Sequence, residues 1–115
     1  MFKLIITAAI TGGEPVSREM TPYVPTTVQE ITDEAIKCWE AGASIVHLHA
    51  KEPETGKPHP VPNPVLREYV EQIQSKTNLI CNVTTGGGRR VSDEALDKNI
   101  EERCSFGHEM MSMNV

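Results

Sequence analysis

Four short runs of strand-forming residues, opening at Leu4, Ser44, Asn78 and Glu109, recur along the chain with stretches of helical periodicity between them. No other feature restricts the fold as much. Strand, helix and strand within roughly 50 residues make a βαβ unit, which implies parallel pairing through a right-handed crossover. The distance from one strand start to the next, about 30–40 residues, is the period of successive βα units.

The first run, Leu4-Ile5-Ile6-Thr7-Ala8-Ala9-Ile10, is apolar on both faces and closed by Thr11-Gly12-Gly13. It is expected to be a buried strand of a sheet covered by helices. Thr26 or Thr27 can cap a helix reaching about Glu40, because Glu30 stands three residues after Thr27 as a capping box requires. Ile31, Ala35, Cys38 and Trp39 form its predicted buried stripe, and Gly42 its C-terminal stop. A second helix carries Pro64 in its first turn and Val65, Leu66, Tyr69, Val70 and Ile73 on its apolar face. Asn78 to Thr85 is the third strand. The third helix opens at Ser92 with Asp93 and Glu94, as the helix dipole favours, and runs to about Arg103. Glu109 to Val115 is the fourth strand. A parallel sheet whose last strand lacks its helix leaves one face short of cover. The α/β pattern therefore reads as the first half of a (β/α)8 TIM barrel, with about four strands and three helices, more naturally than as a small open sheet. Residues 1–115 are expected to be the N-terminal half of such a domain, a fragment.

Composition narrows the function. A chain of 115 residues with a formal net charge of −5 and no basic run beyond Arg89-Arg90 excludes a nucleic-acid surface, which needs clustered cations. Leu4 to Ile10 is too short to span a membrane and lacks the layout of a secretory signal. Cys38, Cys81 and Cys104 are odd in number and widely spaced, which suits reduced thiols and a cytoplasmic location.

Chemistry concentrates after the strands. Within Ser44 to Ala50, His47 and His49 fall on one face and Val46 and Leu48 on the other, because strand side chains alternate. Two neutral imidazoles at that spacing can grip one divalent metal, and zinc prefers such ligands. The same spacing also suits two core or edge histidines satisfied by neighbours. Glu14 stands just past the first strand, at the head of a long proline-rich loop, where a carboxylate can reach into a site or simply be solvated. His59 lies in the Lys51–Pro64 loop and is expected to be exposed. Gly86-Gly87-Gly88 leaves backbone N–H groups open to a carboxylate or phosphate, but lacks the Lys-Ser/Thr end of a P-loop and can equally be a turn.

Five segments then carry a resemblance: Thr7-Ala8-Ala9-Ile10-Thr11-Gly12, Pro22-Tyr23-Val24-Pro25-Thr26-Thr27, His47-Leu48-His49-Ala50, Thr84-Thr85-Gly86-Gly87-Gly88 and Glu109-Met110-Met111-Ser112-Met113-Asn114. In that order they resemble the N-terminal portion of the β-keto acid cleavage enzyme family, over essentially the whole chain. The resemblance implies a zinc-dependent TIM-barrel acyltransferase. It would join a β-keto acid to acetyl-CoA as co-substrate and cleave the adduct to acetoacetate and a new CoA thioester, as in 3-keto-5-aminohexanoate cleavage during lysine fermentation. It implies His47 and His49 as zinc ligands, Thr84, Gly86 and Gly87 as holders of the substrate carboxylate, Glu14 as an active-site acid and Ser112 as a strand-four hydroxyl. It further implies a homo-oligomeric parent that acts on small molecules, without nucleic acid or membrane.

The family's third zinc ligand, a glutamate, and the Asp and Arg that prepare the nucleophile have no counterpart in this chain. The segment Cys104-Ser105-Phe106-Gly107-His108 departs from the family's usual lead-in to strand four, and His108, at the entry end of that strand, reads as structural. The chain alone is expected to be inactive. The alternatives are a non-catalytic half-barrel that works by association, and another His-x-His metal-dependent TIM-barrel aldolase or lyase.

Overall fold

The computed structural model describes residues 3–86 and 92–113. Strand and helix alternate throughout: β1 (Thr7–Ala9), α1 (Val28–Glu40), β2 (Ile45–Leu48), α2 (Pro62–Gln74), β3 (Ile80–Thr84), α3 (Asp93–Arg103) and β4 (Met110–Ser112). The strands form one parallel sheet in the order β1-β2-β3-β4. In register, Ala8 pairs with Val46, Val46 with Cys81, and Val83 with Met111. This stepwise advance is that of successive βα units, with β1 and β4 as the edges of the sheet among the described residues.

Local chemistry sets the helix starts. Thr27 accepts the Glu30 amide at 3.2 Å and the Glu30 carboxylate accepts the Thr27 amide at 3.1 Å, a complete capping box. α2 has no side-chain cap and relies on prolines in its first turn, starting at Pro62, slightly earlier than its apolar period indicates. Ser92 caps α3 by accepting the Ala95 amide at 3.3 Å.

The core lies on one side of the sheet. Val46, Leu48, Cys81 and Val83 point into it and meet Ile31 and Ala35 of α1 and Leu66, Tyr69, Val70 and Ile73 of α2. Each large aliphatic side chain buried there contributes about 1.5–3 kcal/mol. The alternate residues His47, Asn82, Thr84 and Ser112 stand on the opposite face. A polar face backed by an apolar one is the arrangement that positions the site.

Three expectations are corrected. β1 is three residues long, and Leu4 and Ile5 before it are 84% and 70% exposed instead of buried. Among the described residues neither Leu4 nor Ile5 packs against the core, so the run lacks the covering layer that burial on both faces needs. Trp39 is 38% exposed. The buried stripe is centred on Ile31 and Ala35, and Trp39 lies one residue, about 100°, further round than Cys38, which does pack against the core. Of the strand read over Glu109–Val115, Met110–Ser112 is regular and Glu109 and Met113 are not, while Asn114 and Val115 lie outside the described residues.

Candidate active site

The strand period and the end of β2 bring two imidazoles together. His47 and His49 place their Nε2 atoms 3.0 Å apart, with rings edge-on at a centroid distance of 4.8 Å. Two bonds of about 2.0–2.1 Å from those nitrogens can meet at one metal ion. Burial pushes His49 down to about 4, with His47 and then Lys51 adding to the effect. The ring is therefore neutral near pH 7, which is the ligand form. Among the described residues no group of three or more His, Cys, Asp or Glu gathers to hold a metal, so the pair supplies two donors.

Glu14 is exposed, one residue beyond a close approach. A Cβ built on Gly13 would lie 3.3 Å from Cε1 and 3.4 Å from Nδ1 of His49, so this loop backbone rests against the His49 ring. The Glu14 carbonyl accepts a hydrogen bond from Nζ of Lys51, which has no solvent exposure. Desolvation holds the Lys51 ammonium below its ordinary range, and the Glu14 charge opposes that shift.

Further ties join the loop after β1 to the loop after β2. The Val16 amide donates to the Gly56 carbonyl at 3.3 Å, and the Thr26 hydroxyl donates to the Pro53 carbonyl at 2.8 Å. Nη2 of Arg18 reaches both Glu30 oxygens at 2.7 Å. Glu14 is thus carried on a loop fastened at several points above the C-terminal ends of the strands.

On β3, Val83 is in register with Leu48, so Thr84, the last residue of the strand, stands level with His49, which follows β2. Thr84 is also in register with Ser112 of β4. The Thr84 hydroxyl is buried and accepts the Gly86 amide at 3.3 Å, while the Thr85 hydroxyl donates to the Ser112 carbonyl. Gly87 lies outside the described residues. His47, His49, Glu14, Thr84, Gly86 and Ser112 therefore converge on one rim of the sheet. His59 is half-buried instead of exposed, because its amide donates to the Ala50 carbonyl at 3.0 Å and its Nδ1 accepts from Val61. His108 is half-buried beside Phe106, away from this rim.

Three residues of the region were not singled out from sequence. Lys51 lies two residues beyond His49, and that parity is the one sequence signal that could have found it. Asn82 is in register with His47 and buries an Oδ1 with no partner among the described residues. Arg103 is buried behind Thr84 and donates to its carbonyl at 2.8 Å. Neither of these last two carries a local sequence signal.

Comparison with known proteins bears on what this rim does. The family model for beta-keto acid cleavage enzyme matches residues 3–115. A 3,5-dioxohexanoate:acetyl-CoA acetone transferase of Paraburkholderia graminis is 35% identical over 114 residues, which are 98% of this chain and 35% of that protein. 3-Keto-5-aminohexanoate cleavage enzymes of Fusobacterium nucleatum and Acetoanaerobium sticklandii are 45% and 42% identical over 94 and 95 residues. Those matches cover 81% and 82% of this chain and 34% of each relative. The chain spans about a third of the length of the curated relatives it matches. No helix among the described residues is long and apolar enough to cross a membrane.

Proposed function

The chain belongs to the β-keto acid cleavage enzyme family, and from that membership we propose that residues 1–115 form the N-terminal half of a (β/α)8-barrel acyltransferase. In this reading the whole enzyme joins a β-keto acid to acetyl-CoA and cleaves the adduct to acetoacetate and a new acyl-CoA. The observation that supports it most is the convergence of the His47 and His49 nitrogens at the strand rim that also carries Glu14 and Thr84.

The donor set fits zinc: two imidazole Nε2 atoms face each other, and one ring is held neutral by burial. His47 and His49 would hold the ion, whose chemistry when bound is that of a Lewis acid toward the substrate's keto oxygen. The Thr84 hydroxyl is a donor of the kind a substrate carboxylate needs; the Gly86 amide, which donates to Thr84 Oγ1, would turn to the carboxylate on binding, and Gly87 is proposed to join them. Glu14 offers a carboxylate at the rim to take or return a proton. Ser112, in register with Thr84, adds a hydroxyl to the same end of the sheet. We place the enzyme in the cytoplasm as a homo-oligomer acting on small molecules.

Acetoacetate release from a β-keto acid and acetyl-CoA, followed in the full enzyme and in its His47→Ala variant, tests this reading. Release that depends on His47 is expected. Equal rates in both proteins, or no release by the parent, would overturn it. The 115-residue chain alone should release none, because two histidines leave the metal short of ligands.

A second reading is a half-barrel that works by association. It is favoured by the open edges of β1 and β4 among the described residues and by Leu4, Ile5 and Met113 at 84%, 70% and 76% exposure. Sedimentation of the chain as a folded monomer would dismiss it.

A further inference from the structure

Among the described residues two cations are closed off from solvent, Lys51 and Arg103, and Arg103 is the one that reaches the turn after β3. Arg103 is 1% exposed and is the one buried residue of α3. Its Nε donates to Oδ1 of Asn63 at 2.7 Å and its Nη1 donates to the Thr84 carbonyl at 2.8 Å. Asn63, itself buried in the first turn of α2, donates to the Asn99 carbonyl at 3.2 Å and to Oε2 of Glu102 at 2.7 Å. The guanidinium is therefore fixed by one helix, carried by another, and directed at the last residue of a strand.

Packing alone does not account for this residue. A buried charge carries a desolvation penalty that a leucine would avoid, and its hydrogen bonds have to offset that cost. What the guanidinium offers here is a directed donor to one chosen carbonyl. That carbonyl ends β3 at the point where the chain leaves the sheet for the Thr84-Thr85-Gly86 turn. In a planar trans peptide the C=O and the following N–H point in opposite directions. Holding the Thr84 carbonyl toward α3 therefore turns the Thr85 amide away from the helical layer. The same turn is tied at two further points, through Thr84 Oγ1 to the Gly86 amide and through the Thr85 hydroxyl to Ser112.

We propose that Arg103 is the positioning residue of this turn, fixing the Thr84 carbonyl so that the Thr84 hydroxyl and the Thr85 amide are preset as donors for a carboxylate. The inference rests on the reading above in which the turn receives the carboxylate of a β-keto acid. Donors preset before binding need no reorganisation when the ligand arrives, and that is where their value lies.

The test compares wild type, Arg103→Lys, Asn63→Ala and Thr84→Ala in the full protein that carries this chain, by amide exchange and by titration with acetoacetate followed by NMR. Lysine keeps the charge but cannot bond Asn63 and Thr84 in the same planar fork. In Arg103→Lys, exchange at Thr85 and Gly86 should quicken at least about tenfold while Val46 and Leu48 stay protected, and acetoacetate affinity should fall about tenfold because the turn's donors are no longer held in place. Asn63→Ala, which frees the guanidinium but retains it, should shift both readouts the same way by less, and it decides the matter if Arg103→Lys does not fold. Wild-type binding that Thr84→Ala weakens, with affinity and exchange unchanged in Arg103→Lys and Asn63→Ala, would overturn the role of Arg103. Absence of acetoacetate binding by the wild type would instead overturn the carboxylate reading, and unchanged exchange at Thr85 and Gly86 would then overturn the hold of Arg103 on the turn as well.

Discussion

The Lys51 side chain, closed off from solvent, ends on the backbone carbonyl of Glu14, 37 residues earlier in the chain. One buried cation thereby links the loop after β1 to the start of the loop after β2, two residues beyond His49. The link sets where Glu14 begins, beside a Gly13 that lies against His49.

Replacing Lys51 by Met keeps the apolar stem and removes the donor. The Glu14 carbonyl is then left without its partner, at a cost of about 1–3 kcal/mol, partly offset because no ammonium has to be desolvated. Stability should change little, whereas the loop over residues 14–25 should loosen. Limited proteolysis checks this: cleavage within the loop should quicken severalfold in Lys51→Met while the unfolding midpoint moves only slightly. Unchanged cleavage would show that Lys51 does not hold the loop.

Gly56 is another fastening point. Its φ is +67°, and a Cβ there would sit 1.9 Å from the Val16 carbonyl oxygen. Gly56→Ala therefore combines left-handed strain of about 1–2 kcal/mol with a clash against backbone. A loss of at least about 2 kcal/mol is expected from urea unfolding. Gly12→Ala, where a Cβ would meet nothing within 4 Å, is the control and should stay within about 0.5 kcal/mol. Equal midpoints for the two variants would refute the contact.

Acid should weaken the same loop through Glu30. Arg18 holds the Glu30 carboxyl down to about 2, followed by the Thr26 and Thr27 amides. A lowered folded-state value means a contribution fully present above the ordinary value of 4.5 and lost as pH falls through about 2. The Arg18 and Glu30 side chains are 43% and 39% exposed, so screening reduces the contribution to about 1 kcal/mol. Urea midpoints measured from pH 7 to pH 2.5 should fall less steeply in Glu30→Gln than in wild type. Parallel curves would exclude Glu30 as a source of acid sensitivity.

The parts of this molecule that were legible from sequence are those with local causes. The Thr27–Glu30 capping box spans three residues and could be read without knowing the fold, and the shared face of His47 and His49 follows from strand alternation alone. The strand order followed from the βα period. Burial of Lys51 and Arg103 was not legible, since a long cation is ordinarily exposed and its partners here, Glu14 and Asn63, lie 37 and 40 residues away. The exposure of Leu4 and Ile5 was missed for the converse reason: an apolar run shows that a layer is needed, and only the fold shows whether one is present.

Metal uptake tests the histidine pair most directly, and it does so without any assay of turnover. If both Nε2 atoms bind one ion, removing either should cost the full protein more than the roughly 10–100-fold in affinity that follows from losing an outer hydrogen-bond partner of a ligand. Zinc competition against a chromophoric chelator should therefore give comparable, large losses for His47→Ala and His49→Ala. His59→Ala should bind as wild type does, because His59 bonds the Val61 amide in the loop after β2. A loss confined to one of the pair would mean that their 3.0 Å contact is a hydrogen bond between imidazoles and not a shared metal grip.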